Sequence, residues 1–207
     1  MSELLTVAIP GDLETLQLPN PTLLDYYRDE QKRVFWLENE VGEDTLELIK
    51  VIMRLNHEDA LANIPVEDRT PIKIFIDTPG GDIQVMWSLM NAIRISKTPV
   101  YTIVFCNALS AGSYILSAGH KRFAFPGSTI LVHSGYAGYQ GTAEQVESAK
   151  KYIDKLSSTA NEAFLKNTKV TPKLLKRKGA FDWYMSAEEA LEHGIVDKII
   201  ESFDEVM

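Results

Sequence analysis

The strongest constraint on the fold is a repeating unit: a short apolar strand, a tight turn, then a helical stripe. Arg33 to Glu38 (RVFWLE) reads as a strand. Glu43 to Leu55 follows with apolar Leu46, Leu48, Ile49, Ile52 and Met53 at helical spacing. Asn56 to Thr70 is polar, contains Pro65 and reads as a loop. Ile72 to Ile76 (IKIFI) is a strand that ends at Asp77-Thr78-Pro79-Gly80-Gly81, and a helix is predicted from Ile83 to Ser96. Val100 to Phe105 (VYTIVF) is the next strand, and a helix begins near Ser110 and stops before Gly119. Arg122 to Phe125 and Thr129 to His133 are strands. Alternation of this kind with short links predicts an α/β fold with largely parallel pairing.

Beyond that unit, Thr142 to Asn167 forms one helical stretch. At 1.5 Å per residue it would be about 39 Å long, more than most small domains are wide, so part of it must project or pack on another subunit. Pro172 to Lys178 reads as a short helix, and Ser186 to Ile200 as helix then strand, with Ser186 and Glu189 spaced as a capping box. Residues 1–30 hold Pro10, Gly11, Pro19 and Pro21 and read as an irregular arm, flexible or ordered by a partner. Residues 31–207 read as one domain that includes the long helix.

Composition narrows the function classes. A formal net charge of −8 argues against nucleic acid as the main ligand. The run Lys173, Lys176, Arg177, Lys178 reads as a solvated helix face. Cys106 is the single cysteine, which excludes an intramolecular disulfide. Met1 to Pro10 lacks a basic n-region, and no apolar run approaches the about 20 residues that span a bilayer. These features predict a cytoplasmic protein with no membrane partner. His57, His120, His133 and His193 are scattered, so neither a metal site nor a cofactor is expected.

Three places could carry chemistry. Ser110, in NALSAGS, sits where a strand turns into an apolar helix whose first amides and dipole favour developing negative charge. A plain N-cap serine would look the same. Asp77 to Asp82 (DTPGGD) is a second strand-to-helix turn, where paired glycines let backbone amides approach a ligand. An ordinary turn is the simpler reading, and the lysine of a phosphate loop is missing. His133 ends the strand TILVH and is placed to act as a base, although a structural histidine fits there too. A serine nucleophile needs a base, an acid that orients the base, and amides for the oxyanion. Spacing does not choose the acid among Asp154, Glu162, Asp182 and Glu188.

Taken together these segments resemble the proteolytic subunit of the Clp protease, from about Arg33 to Ile200. The resemblance is carried by IDTPGGDI at 76–83, NALSAGSYILSAG at 107–119, KRFAFPGSTILVH at 121–133, YQGTAEQ at 139–145 and DWYMSAEEALEHGIVD at 182–197. It implies Ser110 as nucleophile, His133 as base and Asp182 as acid, with an oxyanion hole from the amides of Gly81 and Ala111. It implies the α/β spiral of strand-strand-helix units shared with crotonases, with 142–167 as a projecting handle helix. It further implies a serine endopeptidase that cuts unfolded proteins or peptides inside a chamber of one or two seven-membered rings fed by an AAA+ unfoldase. A hydrophobic pocket for the unfoldase would comprise Phe75, Ile95, Ile103, Phe105, Phe123 and Phe125.

The sequence also departs from that pattern. Residues 1–30 differ, the 56–70 segment is longer, and two residues are missing near His120. Lys73 stands where an aromatic residue is usual, Ala111 where methionine is usual, and Phe181 where an arginine bridges the two rings. These departures keep open a specialised or phage-type relative that processes one partner or scaffolds an assembly. A crotonase-type CoA-ester enzyme would share the spiral and the two-amide oxyanion hole without needing Ser110, since fold alone does not fix function. A membrane signal-peptide peptidase with a serine–lysine pair is disfavoured by the matches at His133 and Asp182.

Overall fold

The computed structural model describes residues 29–206, so the N-terminal arm lies almost wholly outside the described residues. The strands are β1 (Val34–Glu38), β2 (Ile72–Thr78), β3 (Val100–Leu109), β4 (Lys121–Ala124), β5 (Thr129–Val132), β6 (Trp183–Ser186) and β7 (Lys198–Ile199). The helices are α1 (Leu46–Leu61), α2 (Ile83–Ile95), α3 (Ala111–Ala118), α4 (Ala143–Asn167), α5 (Pro172–Lys178) and α6 (Ala187–Glu192). Strands β1, β2, β3, β4 and β7 lie side by side in parallel.

One strand decides where the site falls. β3 is ten residues long and, on the side away from β2, serves two neighbours. Tyr101 to Val104 pair with β4, whereas Asn107 to Leu109 pair with β5. β6 then adds antiparallel to β5, with Val132 opposite Trp183. The residues just past β3 and β5 and just before β6 are therefore neighbours.

The sheet buries both faces unequally. Alternate residues of a strand face opposite sides. In β2, Ile72, Ile74 and Ile76 enter the main core beneath the helices, where Leu89, Met90, Ile93, Ile115 and Leu116 are fully buried. Phe75 points the other way, into a smaller cluster with Val34, Ile103, Phe123, Ile200 and Val206. Lys73 is also on that side and is buried, with its pKa lowered first by desolvation and then by Lys32.

The helix expected to end at Leu55 continues to Leu61, and only the rest of the 56–70 segment is irregular apart from a 3-10 turn at Val66–Asp68. The reason is Asp59. It takes the next position on the buried stripe after Ile52 and Leu55 and is 1% exposed. Its carboxylate binds Arg33 at 2.5 Å and Thr98 at 2.7 Å. A paired charge has replaced an apolar residue, which apolar periodicity does not detect. β6 was likewise absent from the pattern, because its four residues alternate buried and exposed and are too few to register.

α4 begins one residue after its cap. Thr142 and Gln145 form a reciprocal capping box, as Ser186 and Glu189 do for α6. Of its 25 residues only Ala160 and Phe164 are buried. The helix is thus rooted at its C-terminal half and stands clear of the domain over its first turns.

Candidate active site

Ser110 joins β3 to α3 with φ 52° and ψ −120°, a conformation that costs a non-glycine residue energy. Its hydroxyl caps nothing, so it is not the plain N-cap serine that the sequence allowed. The Ser110 amide is held by the Leu131 carbonyl of β5 at 2.9 Å, which aligns the turn with the end of β5. The first position of α3 belongs to Ala111, whose amide has no intrahelical acceptor there.

The DTPGGD turn lies against this one. A β-carbon on Gly80, at φ 98°, would sit 2.7 Å from Ser110 Cβ and 2.6 Å from the Leu109 carbonyl. Only glycine permits that approach. Gly81 forms a parallel bridge to Val41, in which Val41 N donates to Gly80 O and Asp82 N to Val41 O. In such a bridge the flanking residues make the bonds, so the Gly81 amide itself is left for another acceptor. Asp77 ties the turn to β3 by accepting from the Asn107 amide and side chain, both at 3.1 Å.

His133 follows β5 and is half-buried. Its Nε2 lies 2.7 Å from Ser110 Oγ. For Nε2 to accept the serine proton, the hydrogen must reside on Nδ1. Nδ1 faces Asp182 Oδ1 at 3.4 Å, with the carboxylate side chain 46% exposed. That is longer than a strong hydrogen bond, and triads are often loose without substrate. The other three carboxylates left open by spacing make no ion pair or hydrogen bond with His133 among the described residues. Tyr136 stacks edge-on to the imidazole at 5.3 Å. The three side chains open into a groove of about 900 Å³ shared with Gly81 and Ala111, and walled by Met86 and Ile153.

The residues expected at a partner pocket do not all meet. Phe105 and Phe125 are in ring contact at 5.1 Å, and Phe75 and Phe125 at 6.5 Å. Ile103 and Phe123 lie buried in the same small cluster. Ile95, 80% exposed at the end of α2, is outside it. Two residues that sequence reasoning missed complete the patch. Trp36 stacks on Phe75 at 5.0 Å and Phe203 approaches Phe125 at 5.3 Å. Their only sequence signal is an aromatic residue on the helix-free side of an edge strand and one near the C-terminus.

A parallel α/β spiral with serine, histidine and aspartate aligned at adjacent strand ends has the constellation of a serine hydrolase. The Clp protease family pattern matches residues 26–203, and the chain belongs to that family. It is 36% identical over 132 residues to the ATP-dependent Clp protease proteolytic subunit of Deinococcus radiodurans, a match spanning 63% of this chain and 65% of that relative's length. No helix among the described residues is long and apolar enough to cross a membrane.

Proposed function

We propose that the chain is a serine endopeptidase that hydrolyses peptide bonds. The observation that carries this is the 2.7 Å contact between Ser110 Oγ and His133 Nε2. Ser110 Oγ attacks the scissile carbonyl carbon while Nε2 takes its proton. Asp182 holds the Nδ1 proton, which fixes the tautomer and stabilises the imidazolium. The Gly81 and Ala111 amides receive the oxyanion. Collapse breaks the C–N bond, and His133 gives its proton to the leaving amine. Water, activated by the same imidazole, then releases the acid and restores Ser110. A fluorophosphonate should label Ser110, and Ser110→Ala should abolish both labelling and peptide cleavage. Labelling that survives the substitution would sink this assignment.

The relative's description as a proteolytic subunit of an ATP-dependent protease supports self-assembly and an ATPase partner for this chain too. On this reading the substrates are unfolded chains, the assembly is a heptameric ring or double ring joined through α4, and the AAA+ unfoldase docks on the patch of Phe105, Phe125, Trp36 and Phe203. A protein that stays monomeric in negative-stain images would count against the chamber. Phe181, 79% exposed before Asp182, favours a second version in which ring stacking differs and the enzyme processes a dedicated partner.

A further inference from the structure

The acid of the proposed triad has little to hold it in place. Among the described residues, the polar partner of the Asp182 side chain is His133 and no other. Its position therefore depends on the backbone that carries it. After Asp182 that backbone is fixed by β6, whose Trp183 stands opposite Val132 of β5. Before Asp182, α5 ends in a turn in which Gly179 N donates to Leu175 O at 2.8 Å and Phe181 N to Lys178 O at 3.1 Å. These bonds close the turn on α5 and do not reach the strand of the base.

One side chain does reach across. Ser134 follows His133 directly, and its Oγ donates to the Gly179 carbonyl at 2.7 Å. Gly179 is the C-cap of α5, and the last carbonyls of a helix have no partner within it. No other donor to this carbonyl occurs among the described residues, and Gly179 is buried. The hydroxyl thus satisfies a carbonyl that the helix leaves open. It also extends the β5–β6 pairing past Val132 and Trp183. His133 and Asp182 lie between these two ties.

We infer that Ser134 is a positioning residue for the triad: its hydroxyl fastens the 179–182 segment to the strand end that carries His133, and so keeps Asp182 Oδ1 facing Nδ1. The inference rests on Ser110 being a peptidase nucleophile. The contact it guards has no slack, since His133 and Asp182 are already 3.4 Å apart, beyond the usual hydrogen-bond range. Without the hydroxyl, the turn is attached to the base only through β6. The half-exposed carboxylate can then swing into water, where it neither orients the imidazole nor stabilises its cation. Ser134 also lines the groove, and a fluorophosphonate, which carries no peptide, separates positioning from a contact with substrate.

The test is a double-mutant cycle between Ser134 and Asp182. It is read by the second-order rate of fluorophosphonate labelling of Ser110, and by kcat and KM for a fluorogenic peptide. Ser134→Ala should lower the labelling rate and kcat by about tenfold, as small misplacements of a catalytic group do, and leave KM unchanged. Ser134→Thr keeps the donor, and its added methyl meets solvent because Ser134 is exposed, so most of the rate should return. In an Asp182→Ala background, Ser134→Ala should change the labelling rate by less than about twofold, because the carboxylate it positions is gone. A loss of the same size in both backgrounds, wild-type rates in Ser134→Ala, or a Ser134→Thr no faster than Ser134→Ala overturns the inference. Labelling that depends on Ser110 still upholds the peptidase in each of those cases. A wild-type protein that takes no label overturns the peptidase reading itself. Should Ser134→Ala not fold, Ser134→Cys, a weaker donor, is carried through the same cycle and the same outcomes decide.

Discussion

Among single residues, Asp182 is the least constrained member of the proposed triad. Ser110 is fixed by its backbone and by a bond to β5. His133 is held between Ser110 and Tyr136. Asp182 is nearly half exposed and 3.4 Å from its partner, so water shares its charge. Replacing it with asparagine keeps the shape but removes the charge and presents an amide to Nδ1, favouring the wrong tautomer. Asp182→Asn should lower kcat by about 10²–10⁴-fold, the upper figure being that of the best-studied triad. Circular dichroism should be unchanged, and a normal kcat would reassign the acid. The sequence could suggest Ser110 and His133 because each ends a readable strand. It could not select Asp182 from composition or spacing, since the choice depends on the antiparallel register Val132–Trp183, a contact between segments some fifty residues apart.

At the level of elements, the site depends on how closely α3 lies against the end of β2. A β-carbon on Gly112 would come within 2.5 Å of Thr78 Cγ2. Thr78 has no room to yield: it is 1% exposed, and its Oγ1 binds the Asn39 carbonyl and accepts from Gly80 N at 3.2 Å. Moving Thr78 would drag the glycine turn that carries the Gly81 amide. Gly112→Ala should therefore destabilise by about 1–3 kcal/mol, as overpacking does, and should also lower kcat. Adding Thr78→Ser removes the colliding methyl and keeps the hydroxyl, so the double variant should recover both stability and turnover. A double mutant no better than Gly112→Ala alone, by denaturant melts and kcat, would refute the contact as the cause. Strand–helix alternation was legible because β2, β3 and the stripes of α2 and α3 are strongly apolar. Legibility ended where one element carried two jobs. β3 reads as a strand to Phe105, but its last residues serve a different neighbour. α1 hides its last turns behind a buried aspartate.

At the scale of the whole molecule, Asp59 and His120 make stability depend on pH in the same direction. Burial pushes Asp59 up, but hydrogen bonds from Arg33 and Thr98 and the charges of Arg33 and Arg69 outweigh it and hold the carboxyl below its ordinary 3.8. A group whose folded pKa is depressed contributes stability that is present above its unfolded pKa and is lost as pH falls through the folded value. Asp59 therefore stabilises fully above about pH 4, and that contribution disappears in stronger acid. His120 obeys the same sign one step earlier. Partial burial lowers its pKa from 6.5, and its Nδ1 accepts from Val100 N at 3.0 Å, a role only the neutral ring can fill. In unfolded chains the imidazole protonates as pH falls through 6.5, while in the fold it resists, so unfolding takes up a proton and stability declines. Urea unfolding free energies measured from pH 8 to pH 3 should be flat at first, fall below about 6.5, and fall again below about 4. His120→Gln should flatten the first decline and leave the second. A variant whose profile overlays wild type between pH 7 and pH 5 would mean that another group titrates there. Because β3 and β4 both begin beside this histidine, and Thr98 of the Asp59–Arg33–Thr98 cluster lies just before β3, at the opposite end of that strand from Ser110, acid should loosen that end of the sheet before it alters the alignment of the triad's own strands.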